Sequence, residues 1–304
     1  MLTFEALPGF FEAFPVAGAG AVDAGLGLHT QRCGSFANWR DLYARIPPDT
    51  DQERYKLVAL ARHGQGYHNA AILRYGMEQW NAYWAFLDGD GETQWLDSHL
   101  TPLGRNQVRN ASRAHLEPLA KELQQLPRFF CSPMRRCIET LTEEWTSLVR
   151  DAGPVRIEIL EQLRERLGEH TCDKRVGHSV TVQEYQGAQI GRGSLQLEYE
   201  PNYSEPDALW RKDHRETDAE MDVRIDAALQ QVLANADRFI SITSHSGTTQ
   251  ALLRVFKHPA VTNLPTGGIV FCVVRVRGQD TTAAAIRVAA GTTTGPTPGI
   301  KPQL

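Results

Sequence analysis

Three short segments set cations directly behind apolar runs. Arg62-His63-Gly64 follows 56–61 (KLVALA), Ser132-Pro133-Met134-Arg135-Arg136 follows 128–131 (RFFC), and His245-Ser246-Gly247 follows 239–244 (FISITS). Guanidinium groups grip phosphate oxygens through paired N–H donors, which an imidazole cannot do. A neutral imidazole can instead attack phosphorus and be regenerated by water, while neighbouring cations hold the developing charge. The leaving alkoxide then needs a proton, and a carboxylic acid kept neutral by its surroundings can supply it. These residue types, so placed, point to phosphoryl transfer in a locally basic pocket.

The elements that must position them are legible as alternating patterns. KLVALA, RFFCS and 155–160 (VRIEIL) have the length and apolar content of buried strands, as do 238–243 and 269–276, with a further strand expected at 283–288. Helices are expected just after Gly66, after the Thr101-Pro102 cap, over 134–151, over 217–236 and from His245 to about Lys257. Leu116, Leu119, Leu123 and Leu126 fall on one helical face, and so do Met221, Ile225, Ala228 and Val232. Strands alternating with helices predict a three-layer α/β/α sandwich with a mostly parallel central sheet and ligands at the strand ends.

The expected organisation is an N-terminal arm over 1–54 packed on the core, an α/β domain over 55–290 and a flexible tail over 291–304. Within the domain, 164–215 loses its periodicity and reads as a cap or substrate insertion, since fifty residues of plain loop would be unusual. Its Lys174, Arg175, Arg192, Arg211, Lys212 and Arg215 suggest a small anionic substrate. The net charge of −4 gives no general attraction to nucleic acid or acidic membrane. Five scattered cysteines without a CxxC pair, a poor secretory signal and no long apolar run predict a cytoplasmic protein.

The motifs resemble those of the histidine phosphatase, or phosphoglycerate mutase-like, superfamily. Arg62-His63-Gly64 with Asn69 is similar to its RHGxxxxN signature, and Leu100-Thr101-Pro102-Leu103-Gly104 with Gln107 to its LTxxGxxQ helix start. Ser132-Pro133 with Arg136 and Thr140 resembles SPxxRxxxT, the run 163–168 the region that supplies the acid, and His245-Ser246-Gly247 the second-histidine motif. Longer words, RHGQGYHNAA, SPMRRC and GEHTCDKR, resemble the fungal phosphomutase-like members. The resemblance implies a metal-independent phosphoric monoester hydrolase without a cofactor. His63 would form the phosphohistidine, Arg62, Arg136 and His245 would line the phosphate pocket, and Glu165 would be the acid, with Glu161 and Glu169 as neighbours. Asn69, Gln65, His170 and the backbone at Ser246 and Gly247 would bind substrate. A phosphomutase, or a repurposed member acting on another acidic metabolite, is the alternative.

Other patterns read more simply. His170, Cys172 and Asp173 lack a second cluster at metal spacing, so a loop role or a substrate contact is expected there. Gly18-Ala19-Gly20 lacks the third glycine of a dinucleotide fingerprint. Tyr67, Tyr75, Trp80, Tyr83 and Trp84 recur at near-helical intervals and are expected mostly in the core, while His68 is equally a supporting or a pocket residue.

Overall fold

The apolar runs form the middle of one twisted sheet in the computed structural model, which describes residues 1–12, 14 and 36–278. Its strands are β1 (Leu2–Ala6), β2 (Glu53–Arg62), β3 (Arg128–Cys131), β4 (Pro154–Ile159), β5 (Gln189–Ile190), β6 (Gly193–Tyr199), β7 (Phe239–Ser244) and β8 (Ile269–Gly278). The helices are α1 (Trp39–Arg45), α2 (Tyr67–Tyr75), α3 (Met77–Ala82), α4 (Pro102–Ala111), α5 (Glu117–Leu123), α6 (Arg135–Trp145), α7 (His178–Tyr185), α8 (Asp218–Val232) and α9 (Ser246–Val255). Strand order is β1-β8-β2-β7-β3-β4-β6-β5. The pairs from β2 through β7, β3 and β4 to β6 are parallel, and the pairs at the two edges are antiparallel.

Side chains alternate across the sheet and divide the core in two. Leu57, Ala59, Ala61, Phe129, Cys131, Ile157 and Ile159 face Trp39, Leu42, Leu119, Ile138 and Leu141. Val58, Leu60, Phe130, Ile240 and Ile242 face Met221, Ile225, Leu229 and Leu252. The sheet is therefore covered on both faces, in the three layers expected. Each fully buried Leu or Ile in these layers contributes about 1.5–3 kcal/mol. A smaller cluster of Ala71, Trp80, Ala85, Trp95 and Cys172 joins α2 and α3 to the loop that follows β4.

Several elements differ from expectation. Within 1–54, Leu2–Ala6 forms an edge strand paired with β8, and Trp39–Arg45 is a helix capped by Asn38. The stretch 164–215 contains α7 and the two strands β5 and β6, and β6 extends the sheet beside β4. The expected helix over 134–151 stops at Trp145. Leu126 leaves the shared helical face because Gln124 turns left-handed at φ 53° and ends α5. Of the five spaced aromatics only Trp80 is buried, and Tyr83 is 57% exposed; the single helical face expected for them is broken at Gly76, where φ is 81° and α2 gives way to α3. The strand expected at 283–288, the tail 291–304, Cys33 and Gly18-Ala19-Gly20 lie outside the described residues. Among the described residues no helix is long and apolar enough to cross a membrane.

Candidate active site

Adjacent parallel strands end side by side, and β2, β7 and β3 are adjacent. Their ladder continues one step past the strands: His63 N–H donates to Ser244 O at 3.0 Å and Ser132 N–H donates to Thr243 O at 3.0 Å. With strands about 4.8 Å apart, this register delivers Arg62-His63, Ser132 and His245 to one edge of the sheet. Two glycines let the first loop close. An added Cβ at Gly64 would stand 2.5 Å from Gly104 O, and one at Gly104 would stand 2.1 Å from Gln65 O. Gly64 N–H also donates to Thr140 Oγ at 3.0 Å, which ties the loop to α6. Gly104→Ala is therefore expected to destabilise the protein by about 3 kcal/mol, since the contact is backbone and cannot swing away. Urea unfolding would measure it, and an unchanged midpoint would mean the loop has slack.

His63 is 3% exposed and its Nδ1 lies 2.7 Å from Gly64 O. A carbonyl only accepts, so Nδ1 carries the hydrogen and Nε2 is left with its lone pair. Burial, and then the charges of Arg136 and Arg62, push its pKa well below 6.5, so the ring is neutral at physiological pH. Two more neutral imidazoles stand beside it. The His245 ring centroid is 5.1 Å away and that of His68 is 5.4 Å away. Burial and the Arg136 charge depress both. His245 Nε2 lies 2.8 Å from Ser132 Oγ, and His68 Nδ1 lies 2.8 Å from Ser98 Oγ.

The arginines are anchored at their tips. Arg62 Nη1 donates to Leu264 O, while Arg136 Nη1 donates to Cys172 O at 2.7 Å and its Nη2 to Asp173 Oδ1 at 3.3 Å. In both residues Nε–H is buried without a partner. A buried unpaired donor costs about 1–3 kcal/mol, and Arg164, Arg238 and Arg275 carry the same unpaired Nε–H, so what distinguishes Arg62 and Arg136 is that their charges act on His63.

Glu165 reaches the same corner from the segment after β4. Its Oε2 accepts from Gly247 N–H at 3.0 Å, its Oε1 accepts from Arg166 N–H at 2.9 Å, and its charge acts on Arg62. Gly247 must be glycine, because a Cβ there would meet Glu165 Oε1 at 2.2 Å. Its amide is thus engaged by the carboxyl group rather than open to substrate. Glu161 instead pairs with Arg164 at 3.0 Å and Arg175 at 2.6 Å, and Glu169 lies beside His170.

The remaining candidates do structural work as well. Asn69 Oδ1 accepts from Gly66 N–H at 3.0 Å and caps α2, and Gln65 Oε1 accepts from Thr101 Oγ at 2.8 Å. Ser246 opens α9, whose N-cap is His245. His170 is half-buried between the rings of Trp80 and Phe86. Its cluster with Cys172 and Asp173 brings ligand-type atoms within 4.8 Å of one another. Arg136 and Arg215 occupy the Asp173 carboxylate, however, and burial pushes the Cys172 thiol well up, so this corner suits no cation.

Lys174, Arg175 and Arg215, three of the cations of 164–215, are engaged within the protein. Arg175 serves Glu161 and four backbone carbonyls, Arg215 serves Asp173 and two carbonyls, and Lys174 stands 5.0 Å over the Trp210 ring. They stiffen the segment rather than wait for an anion. The reading of sequence alone missed Ser98 as the partner of His68, and Asp173 as the carboxylate that orients Arg136. No spacing signals either, for the pairs are 30 and 37 residues apart.

A neutral imidazole between two anchored arginines, at the carboxyl ends of parallel strands, defines a site for phosphoryl chemistry. The chain belongs to the histidine phosphatase superfamily (branch 1), whose sequence pattern matches residues 58–286. It is 49% identical over 286 residues to the probable phosphoglycerate mutase PMU1 of Saccharomyces cerevisiae, covering 90% of this chain and 97% of that one. It is 32% identical over 225 residues to a probable phosphoglycerate mutase of Arthroderma benhamiae, covering 73% and 64%. Among solved structures, a mycobacterial glucosyl-3-phosphoglycerate phosphatase in complex with VO3 aligns with 71% of this chain and 92% of its own, at 18% identity and a TM-score of 0.39.

Proposed function

We propose that this protein is a metal-independent phosphatase that hydrolyses a small phosphate ester through a phosphohistidine on His63. The observation that carries the reading is the fixed tautomer of His63, with Nδ1–H held by Gly64 O and Nε2 free among Arg62, Arg136 and His245. In the first step Nε2 attacks phosphorus and the P–O bond to the leaving group breaks. The departing oxygen takes up a proton by way of Glu165, the carboxyl group at this corner of the site. Water then attacks the phosphohistidine, the N–P bond breaks, the water proton passes to Glu165 and inorganic phosphate leaves. The open Nε–H groups of Arg62 and Arg136 hold the equatorial oxygens, so the charge is neutralised by guanidinium groups.

The test is to quench turnover of a 32P-labelled phosphate monoester within milliseconds and digest the protein. Label is expected on the peptide carrying His63, stable in alkali and lost in acid. Steady turnover with no labelled peptide would overturn the scheme. The names of its relatives favour a second reading, in which the phosphoryl group returns to substrate as in a mutase. In that case an added phosphoglycerate would take label from the enzyme faster than water does.

A further inference from the structure

His68 has no part in that scheme, yet the fold goes to some length to place it. It follows Gly66 and Tyr67 in the first turn of α2 and folds back onto Ser98, 7% exposed. Gly66 makes the room, for a Cβ there would stand 2.8 Å from His68 Nδ1 and 2.9 Å from Ser98 Oγ. Ser98 is itself 1% exposed, and among the described residues its hydroxyl has His68 Nδ1 as its hydrogen-bond partner. A buried hydroxyl donates where an acceptor is in reach. Ser98 therefore gives its hydrogen to Nδ1, and His68 carries its own hydrogen on Nε2. That atom takes no partner among the described residues. The ring is 5.4 Å from His63 and feels the charges of Arg136, His63 and Arg62.

We propose that His68, locked by Ser98 across Gly66, presents Nε2–H as a neutral donor to the phosphoryl group while it moves on and off His63. This rests on His63 being the nucleophile. The two imidazoles then play opposite roles through opposite tautomers, one set by a carbonyl and the other by a hydroxyl. A neutral donor has a use beside two arginines: it stabilises the spread equatorial charge of the transition state without adding a third cation that would hold the product phosphate.

The experiment compares His68→Gln and Ser98→Ala with the native protein and with His63→Ala. It uses p-nitrophenyl phosphate for turnover, and orthovanadate and inorganic phosphate as inhibitors. His68→Gln is expected to lower kcat by about 10²-fold and weaken orthovanadate by a similar factor, with phosphate inhibition changed less than threefold. Ser98→Ala, which frees the tautomer, is expected to lower kcat several-fold with KM unchanged. Native kcat in both variants would overturn the proposal, and so would equal losses of orthovanadate and phosphate binding, the sign of a merely structural role. Should His68→Gln fail to fold, Ser98→Ala decides by the same criteria. If His63→Ala also kept turnover, the nucleophile assignment itself would have failed. An inert His63→Ala beside a native-like His68→Gln would overturn the role of His68 alone.

Discussion

Replacing His63 by alanine is expected to lower kcat by about 10⁴-fold or more while leaving the protein folded. The loss is large because no neighbour can stand in. His245 and His68 have one ring nitrogen each beside a serine hydroxyl, whereas His63 alone of the three has a carbonyl at Nδ1, which leaves Nε2 bare on a ring that feels the charges of Arg136 and Arg62. The fold is expected to survive because His63 makes one side-chain hydrogen bond, to its own neighbour, and the space it leaves is polar enough for water. Urea unfolding should show a cost below about 2 kcal/mol. Free imidazole added to His63→Ala should restore part of the turnover by entering that space. In the native protein the acid limb of kcat/KM should fall below pH 6.5, because burial and two guanidinium charges keep the ring neutral there. Near-native turnover in His63→Ala, or an acid limb well above pH 6.5, would remove His63 from the reaction.

The centre of this fold could be read from the chain because its signals are local. Residues 57–61 (LVALA) are an unbroken apolar run, which suits a strand of a parallel sheet covered by helices on both faces, whereas FISITS sets Phe239, Ile240 and Ile242 among Ser and Thr and is buried throughout. Arg62, His63 and His245 follow those runs directly, so their common edge came with the strands. The edges were harder. In β6 the apolar Leu195 and Leu197 alternate with Ser194 and Gln196, but the strand is seven residues long and sits among glycines and tyrosines that mask the period of two. In β1 only Phe4 and Ala6 are buried, because β8 is its single neighbour and one strand edge is open. Contacts that cross the site were illegible for a different reason. Asp173 orients Arg136, and Ser98 orients His68, through loops whose meeting depends on how the sheet is covered. The partners of the cations in 164–215 were illegible for the same reason, since only the fold reveals that Arg175 and Arg215 already have carboxylates and carbonyls.

Glu144→Gln is expected to stabilise the protein strongly at pH 8 and little at pH 5. Glu144 is fully buried near the end of α6, the helix that begins with Arg135 and Arg136, and neither of its carboxyl oxygens has a hydrogen-bond partner. Ser112 Oγ, which could have served it, donates instead to the Glu144 main-chain carbonyl at 2.5 Å. The nearby Cys131 thiol is itself pushed well up by burial and offers no positive charge. Burial alone therefore raises the Glu144 pKa from 4.5 to about 8. The unfolded chain ionises this group near 4.5, so between pH 4.5 and 8 the folded state binds the extra proton. The stability it contributes is present in acid and is lost as pH rises. At about 1.4 kcal/mol per pH unit, the native protein should lose about 3–4 kcal/mol between pH 5 and 8 from this residue. Glutamine keeps the shape and cannot ionise, so the gap between the two unfolding curves should open with pH while kcat stays native-like. Parallel stability curves from pH 5 to 8 would mean that the carboxylate finds a partner inside the protein. If the gap opens, the core beneath the arginine helix carries an acid whose charge the active site does not use, and its contribution to stability is lost as pH rises toward 8.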